Sequence, residues 1–181
     1  MEYLFNANCI DFMQSEKCKE FIKDRKVVIV TDPPFNIGYH YNSYKDNMDE
    51  EQYYSFLDDV LSMYYIPFVV IHYPEALYKL SFQVGVFPER VVSWVYNSNT
   101  AKQHRDIAFF GIKPDFRKVT QPYKNPNDKR IKERIAEGKT GCKLYDWWEI
   151  NQVKNVSKIG GYKPSMCDAF RSYETNNWNI A

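Results

Sequence analysis

Apolar and polar positions along the chain follow two periods, and the pattern predicts strands that alternate with helices. The β-branched run at residues 27–30 follows a charged stretch and predicts a buried parallel strand, and residues 68–71 predict a second one. Between them, a helical apolar stripe begins after Asp49, which can cap the helix with Gln52 completing a capping box. Further strands are predicted at residues 91–96 and 107–112. This alternation is typical of an α/β domain with a largely parallel sheet.

Three more helices complete this pattern. One is predicted over residues 9–21, before the first strand, and another opens at Pro74. A later helix is predicted to have Asn125 as its cap, Pro126 at its first position and Gly138 at its end. This last helix has few apolar positions, so we expect it to lie on the surface.

Composition limits the class of protein. A chain of 181 residues with 44% hydrophobic and 26% charged residues is typical of one globular domain, or of one domain with an appendage. The longest apolar run, residues 66–71, contains a proline and is far shorter than the roughly 20 residues that a membrane helix needs. Residues 1–15 carry two acids and no Lys or Arg, so no secretory signal is expected. We therefore expect a cytoplasmic protein without a membrane partner.

The cysteines and histidines give no metal-binding pattern. The four cysteines (Cys9, Cys18, Cys142 and Cys167) form no C-x-x-C pair, and the three histidines are scattered. Such spacing argues against a structural zinc site and favours reduced thiols, as found in the cytoplasm. We expect no metal in this protein.

The charge is segregated along the chain although its total is only +1. Residues 1–100 carry a net charge of −6, residues 101–143 carry +7, and the remainder is neutral. A basic block of this kind can bind a polyanion, because Lys and Arg replace the counterions condensed on phosphates. A solvated basic face without a partner remains the alternative. The aromatic content of 17% supplies either a tyrosine-rich core or surfaces on which bases stack.

The strongest local signal is Asp32-Pro33-Pro34-Phe35, which follows the first buried strand directly. In open α/β sheets, ligands bind outside the carboxyl ends of the strands. The two prolines restrict the residues before them to extended conformations. A carboxylate and a backbone carbonyl are thereby held beside an aromatic ring. The alternative is a proline-rich surface turn.

This tetrapeptide resembles the catalytic Asp-Pro-Pro-Tyr/Phe motif of the amino-group DNA methyltransferases, which act on adenine N6 or cytosine N4. The similarity continues through residues 6–11, 68–77, 91–99, 104–112 and 151–157. The order of these segments is that of the circularly permuted beta group. The resemblance implies a partial Rossmann-like, doubly wound sheet in a catalytic domain over residues 1–158, with a basic DNA-recognition insertion at about residues 101–143. It also implies a bacterial or phage-encoded protein, in a restriction–modification or phage setting.

The resemblance assigns roles to the motif. Asp32 and the Pro33 carbonyl would accept the two N–H bonds of an exocyclic amine, favour a tetrahedral nitrogen and offset its developing positive charge. The base would be flipped out of double-stranded DNA and stack on Phe35. The methyl donor would be S-adenosylmethionine, held in line with the amine. An Asp at the head of the motif favours adenine N6 over cytosine N4. The catalytic set is Asp32, Pro33, Pro34 and Phe35, and the cofactor set is Asn8, Cys9, Asp32 and Pro33.

The DNA contacts are expected in the basic block. Most of them would reach phosphates, which position a protein on DNA without specifying sequence. The expected DNA-binding residues are Lys102, His104, Arg105, Arg117, Lys118, Lys124, Lys129, Arg130, Lys132 and Arg134.

The chain departs from the family at its cofactor loop. Family members carry a Gly-rich loop whose backbone passes close to the cofactor, whereas no two of the seven glycines here are spaced as Gly-x-Gly. Residues 159–181 form an atypical tail, which we attribute by hypothesis to a frameshift near residues 158–163. We therefore expect impaired activity alone and apolar surface exposed near residues 27–30. The alternatives are a non-catalytic DNA-binding remnant and one half of a split enzyme whose second chain supplies the Gly-rich loop.

Overall fold

The computed structural model describes residues 5–41, 44–98, 100–116 and 119–150. Within these ranges the helices are α1 (Cys9–Gln14), α2 (Glu16–Ile22), α3 (Glu50–Ser62), α4 (Pro74–Val84) and α5 (Lys129–Ala136). The strands are β1 (Ile29–Thr31), β2 (Phe68–His72), β3 (Arg90–Val95), β4 (His104–Phe110), β5 (Thr120–Gln121), β6 (Cys142–Lys143) and β7 (Trp147–Glu149). The atypical tail at residues 159–181 lies outside the described residues.

Five of the strands form one mixed sheet, in the order β1-β2-β4-β3-β7. β1 pairs with β2, and β3 with β7, in parallel. β3 and β4 run in opposite directions, because Glu89 N–H donates to the Phe109 carbonyl (2.8 Å) and Tyr96 N–H to the Gln103 carbonyl (3.1 Å). The predicted α/β class is confirmed. The sheet is mixed because β4 returns from β3 through a short turn with no helix between them.

The described residues divide into two compact units. The first contains the chain up to Arg90 together with Ala108–Ile112, and the second contains Val91–Ile107 and the chain from Lys113 onward. In the first unit, apolar side chains of α3 and α4 pack with those of β2 and the end of β4. Phe68 stacks on Phe110 with 4.6 Å between the ring centroids. This core supports the carboxyl ends of β1 and β2.

Helix capping decides where the helices of the first unit begin and end. The single helix predicted over residues 9–21 is wrong, because the chain is extended at Ser15 and divides into α1 and α2. The Ser15 hydroxyl accepts the Cys18 N–H (3.2 Å) and so caps α2. The predicted cap of α3 is confirmed, since the Asp49 side chain accepts the Glu51 N–H (3.0 Å).

In the second unit, α5 begins later than its sequence predicts. Asn125 and Pro126 precede the helix, and Asp128 is the cap instead. The Asp128 carboxylate accepts the backbone N–H groups of Arg130 (2.9 Å) and Ile131 (3.4 Å). A carboxylate that satisfies two N–H groups of the first turn outweighs the preference of proline for the first helical position.

Val30, the central residue of the three-residue strand β1, is exposed on one face of the sheet. Val30 pairs in register with Val69 of β2, so both side chains point to the same face of the sheet. Val69 is 6% exposed, whereas Val30 is 62% exposed. The exposure predicted near residues 27–30 is thus found at Val30, while Val27, Val28 and Ile29 are half-buried. The prediction of a buried strand over residues 27–30 is wrong, because Val30 is exposed and the strand runs over Ile29–Thr31 instead.

Trp148 anchors the second unit. Its buried ring meets Phe116 edge-on at 5.4 Å, and its indole N–H donates to the Tyr145 carbonyl (2.9 Å). β5 and β6 form a separate antiparallel pair, and α5 lies between these two strands in the chain. The neighbouring Trp147 is partly exposed.

Leu80 and Phe82 on α4 offer a matched test of this core. Leu80 is 1% exposed, so we expect Leu80→Ala to lower the free energy of unfolding by about 2–5 kcal/mol. Phe82 is 88% exposed, so Phe82→Ala should change it by less than about 1 kcal/mol. Urea unfolding measures both values. Equal losses in the two variants would contradict the assigned core.

Candidate active site

The Asp32 motif lies at the carboxyl end of β1, beside the carboxyl end of β2. Because the two strands are parallel and Thr31 pairs with Val70, the residues after β1 adjoin His72 at the end of β2. Pro33 is buried, and Asp32, Pro34 and Phe35 are half-buried. The sheet thus brings the predicted catalytic residues next to a histidine that the motif does not contain.

A chain of hydrogen bonds through the buried side chains of Tyr53 and His72 links β2 and α3 to this motif. The Tyr73 N–H donates to Nδ1 of His72 (2.8 Å), so the neutral ring carries its hydrogen on Nε2. Nε2 lies 2.8 Å from the hydroxyl of Tyr53, which donates in turn to the Pro34 carbonyl (2.6 Å). Burial raises the pKa of the Tyr53 phenol well above its usual value, and neighbouring tyrosines and carboxylates raise it further. The hydroxyl therefore keeps the proton that it donates.

Phe35 packs against the residues at the end of β2. Its ring centroid lies 4.8 Å from that of His72 and 5.2 Å from that of Tyr73, with the planes tilted by 56° and 53°. Tilted contacts at these distances are favourable for aromatic pairs. The Phe35 ring is therefore supported on one side, and its half-buried position leaves part of it accessible.

Asp46 organises the loop that follows the motif. Its side chain is only 2% exposed. One carboxylate oxygen accepts the Asn36 N–H (2.8 Å), and the other accepts the N–H groups of Ile37 (3.1 Å) and Tyr39 (3.0 Å). The Asp46 backbone carbonyl accepts the Gly38 N–H (2.6 Å). Four successive backbone donors are satisfied by this one residue, which fixes the course of the chain after Phe35.

The same loop contains two left-handed backbone conformations. Asn36 has φ of 55° and Gly38 has φ of 75°. Glycine adopts such an angle without cost, whereas asparagine needs compensation of about 1 kcal/mol or more. A hydrogen bond of the Asn36 side chain offsets part of this conformational cost, since Nδ2 donates to the Met48 carbonyl (2.9 Å). Backbone strain of this kind is often stored beside functional sites.

Three tyrosines line the outer part of this loop. The rings of Tyr39 and Tyr41 meet edge-on at 4.9 Å, and those of Tyr41 and Tyr44 at 5.9 Å. Burial raises the pKa of the Tyr41 phenol, as do the negative charges of Asp46 and Asp32. The site therefore combines the Asp32 carboxylate with aromatic rings, an arrangement suited to accepting an N–H bond from a planar ring that stacks nearby.

The residues predicted for the cofactor form only part of such a site. Asn8 caps α1, and its side-chain oxygen accepts the Ile10 N–H (2.9 Å), while Cys9 is exposed. Gly38 has open space around it and a positive φ, so the turn explains this glycine without any close approach of a ligand. Together with the missing Gly-x-Gly spacing, this means that the described residues do not fit S-adenosylmethionine as a complete cradle.

The predicted DNA-binding residues that the structure describes lie in the second unit. Arg105 differs from the others because it is half-buried, with its guanidinium carbon 5.7 Å from the ring centroids of both Trp94 and Tyr96. Arg117 and Lys118 lie outside the described residues. The remaining members are exposed: Lys102, His104, Lys124, Lys129, Arg130, Lys132 and Arg134.

Lys124 and α5 differ in how their charges are used. Lys124 forms an ion pair with Glu149 (2.7 Å) and lies 4.0 Å from the ring centroid of Trp147. Its ammonium group is thus already engaged with two protein groups. α5 carries four cations within eight residues, all of them exposed. Among the described residues, α5 is the better candidate for phosphate contacts.

Sequence reasoning missed Asp46, Tyr53 and His72. The sequence pattern places Tyr53 in the apolar stripe of α3 and gives its hydroxyl no role. His72 had a usable signal, because a polar residue at the carboxyl end of a buried strand lies where α/β sheets bind ligands. Asp46 had none, since a single acid in a polar loop is indistinguishable from a surface charge.

Comparisons with known proteins do not identify a family. No family model matches the sequence, and no curated protein matches it significantly. Within the described ranges, no three His, Cys, Asp or Glu side chains are grouped so that they could hold a metal ion. None of the described helices combines the length and apolar character needed to span a membrane.

Asp46 can be tested by substitution. Asp46→Asn keeps the shape but turns an acceptor into a donor that faces backbone N–H groups. We expect the free energy of unfolding to fall by about 1–3 kcal/mol, with faster amide exchange at residues 36–39. Hydrogen exchange with mass spectrometry measures the second effect. The exposed Asp59→Asn is the control, and unchanged exchange in Asp46→Asn would contradict the role of Asp46.

Proposed function

We propose that this chain is a DNA adenine-N6 methyltransferase, with S-adenosylmethionine as methyl donor, that provides the target-base half of the active site. The observation that carries the proposal is the position of Asp32. It lies at the carboxyl end of β1, followed by a backbone that Tyr53 and Asp46 hold, with Phe35 alongside. These groups match the needs of an exocyclic amine on a flipped base.

The chemistry required of this chain is acceptance of hydrogen bonds. An exocyclic amine is a poor nucleophile because its lone pair is delocalised into the ring. Asp32 and the Pro33 carbonyl accept the two N–H bonds, favour a tetrahedral nitrogen and stabilise the positive charge that develops on it. Phe35 stacks on the base and holds its plane. The electrophilic methyl group would come from S-adenosylmethionine, for which the described residues form only part of a site.

The position of the family-like segments supports the proposal. Residues 68–77 contain β2 and the start of α4, residues 91–99 contain most of β3, and residues 104–112 contain β4. With β1, these strands are neighbours in the sheet order β1-β2-β4-β3. Segments that resemble one family and assemble side by side are better explained by common descent than by chance similarity of short motifs.

Two further functions have specific support. The four exposed cations of α5 favour a non-catalytic DNA-binding protein if no methyl transfer occurs. The exposed Val30 on β1, together with the missing Gly-rich loop, favours a split enzyme in which a second chain covers this strand. Both alternatives keep DNA as the partner.

Methyl transfer tests the proposal directly. The purified chain is incubated with S-adenosylmethionine and amplified, unmethylated genomic DNA, and the nucleosides are analysed by mass spectrometry. We expect slow formation of N6-methyladenine, and a loss of at least about 100-fold in Asp32→Ala, because a preorganised acceptor is removed. Asp59→Asn is the control.

Each other outcome selects an alternative. N4-methylcytosine would show that the target base is cytosine. Full activity in Asp32→Ala would refute the catalytic assignment. No product, with DNA binding but no S-adenosylmethionine binding by calorimetry, would favour the DNA-binding or split-enzyme function.

α5 is tested through the salt dependence of DNA binding. The test variant replaces four residues by Gln: Lys129, Arg130, Lys132 and Arg134. The slope of log K against log[salt] should become shallower by about 0.9 for each phosphate that the variant no longer neutralises. Fluorescence anisotropy of a labelled duplex measures it. The control replaces four exposed lysines of the first unit, Lys17, Lys19, Lys23 and Lys26, and equal slopes in the two variants would exclude α5 as the DNA-binding surface.

A further inference from the structure

We propose that Tyr53 is a positioning residue for the Asp32 motif. Its hydroxyl, held by His72, fixes the Pro34 carbonyl and thereby directs the Pro33 carbonyl toward the substrate amine. The inference rests on the proposed methyl transfer. It assigns a role to two buried polar residues that the reaction chemistry does not itself require.

The direction of the hydrogen bonds follows from one contact. The Tyr73 backbone N–H can only donate, so Nδ1 of His72 accepts. In a neutral imidazole the other nitrogen then carries the hydrogen, and Nε2 donates to Tyr53. The Tyr53 hydroxyl has its own hydrogen left for the Pro34 carbonyl. Every hydrogen in the chain has one position, and all of them point toward the motif.

The backbone transmits this constraint to the adjacent carbonyl. Asp32 and Pro33 each precede a proline, so both are confined to extended conformations. Proline fixes φ near about −65°, so the two prolines give this segment a polyproline II conformation, in which successive carbonyls are rotated by about 120° around the chain. Since the Pro34 carbonyl is bonded to the Tyr53 hydroxyl, this rotation turns the Pro33 carbonyl away from that hydroxyl. That carbonyl is the second acceptor of the proposed reaction.

Packing alone does not require these residue types. Tyr53 and His72 are both buried, and a phenylalanine at position 53 would fill almost the same volume. Burying a hydroxyl and two ring nitrogens costs free energy unless each is hydrogen-bonded. Here all three are bonded, and the chain ends on a single backbone carbonyl of the motif. The arrangement stabilises one orientation of that peptide.

Kinetics distinguish positioning from general stability. Tyr53→Phe removes only the hydroxyl, so we expect kcat to fall about tenfold while KM for S-adenosylmethionine and DNA stays within about twofold. Tyr54→Phe, a half-buried neighbour on the same helix, is the matched control and should leave kcat unchanged. An unchanged kcat in Tyr53→Phe, or equal losses in both variants, would overturn the proposal.

A double substitution tests whether the two residues act together. His72→Asn keeps an acceptor near the Tyr73 N–H but cannot reach Tyr53. If the residues form one chain of hydrogen bonds, the double variant should lose no more kcat than the more impaired single variant. Multiplied losses would mean that they act independently and would overturn the proposal.

A spectroscopic measurement separates this inference from the proposed function. The sequence has three histidines, His40, His72 and His104, so ¹⁵N NMR of the imidazoles can be assigned by substitution. We expect His72 as the Nε2–H tautomer in the intact chain, and a shifted Nε2 resonance in Tyr53→Phe but not in Tyr54→Phe. An Nδ1–H tautomer, or no shift, would overturn the inference. An intact chain that makes no methylated base would refute the proposed function, and this spectrum would still decide the direction of the hydrogen bonds.

Discussion

The parallel pairing of β1 with β2 is the constraint on which the candidate site depends. Parallel strands present their carboxyl ends at one edge of the sheet, so Asp32 and His72, 40 positions apart in the sequence, become neighbours. The pairing also aligns Tyr53 of the intervening helix with the Pro34 carbonyl. A strand that is only three residues long can hold this register because the apolar core of the first unit lies beneath it.

Buried polar groups hold the backbone on both sides of Phe35 in one conformation. Asp46 accepts four backbone N–H groups after Phe35, and Tyr53 donates to the carbonyl before it. Each of these groups would be costly to bury without a partner, so the loop has few alternative conformations at similar free energy. This rigidity suits a site whose proposed chemistry is carried by acceptors aimed in fixed directions.

The two units divide the expected tasks by their charge. The acidic and aromatic groups around Asp32 belong to the first unit, and the exposed cations of α5 belong to the second. Acceptors for an amine and counterions for phosphates have opposite charge, and each kind belongs to a different unit. Val30 is a separate feature of the first unit. It is an exposed β-branched residue in a parallel strand, and natural proteins usually cover such a surface.

The sequence by itself determined the α/β class, the two parallel strands β1 and β2, the cap of α3 and the Asp32 motif, because each depends on residues close together in the chain. It misplaced the start of α5 and joined α1 to α2, since Asn125 and Asp128 are both good caps and Ser15 tolerates a helix interior. Only the tertiary structure decided that β3 and β4 form a hairpin and that Tyr53 reaches Pro34. It also decided that the Asp46 carboxylate accepts hydrogen bonds from the backbone of the loop after Phe35. Those outcomes depend on which distant groups are buried together, and burial sets the free energy of a polar side chain far more than its neighbours in sequence do.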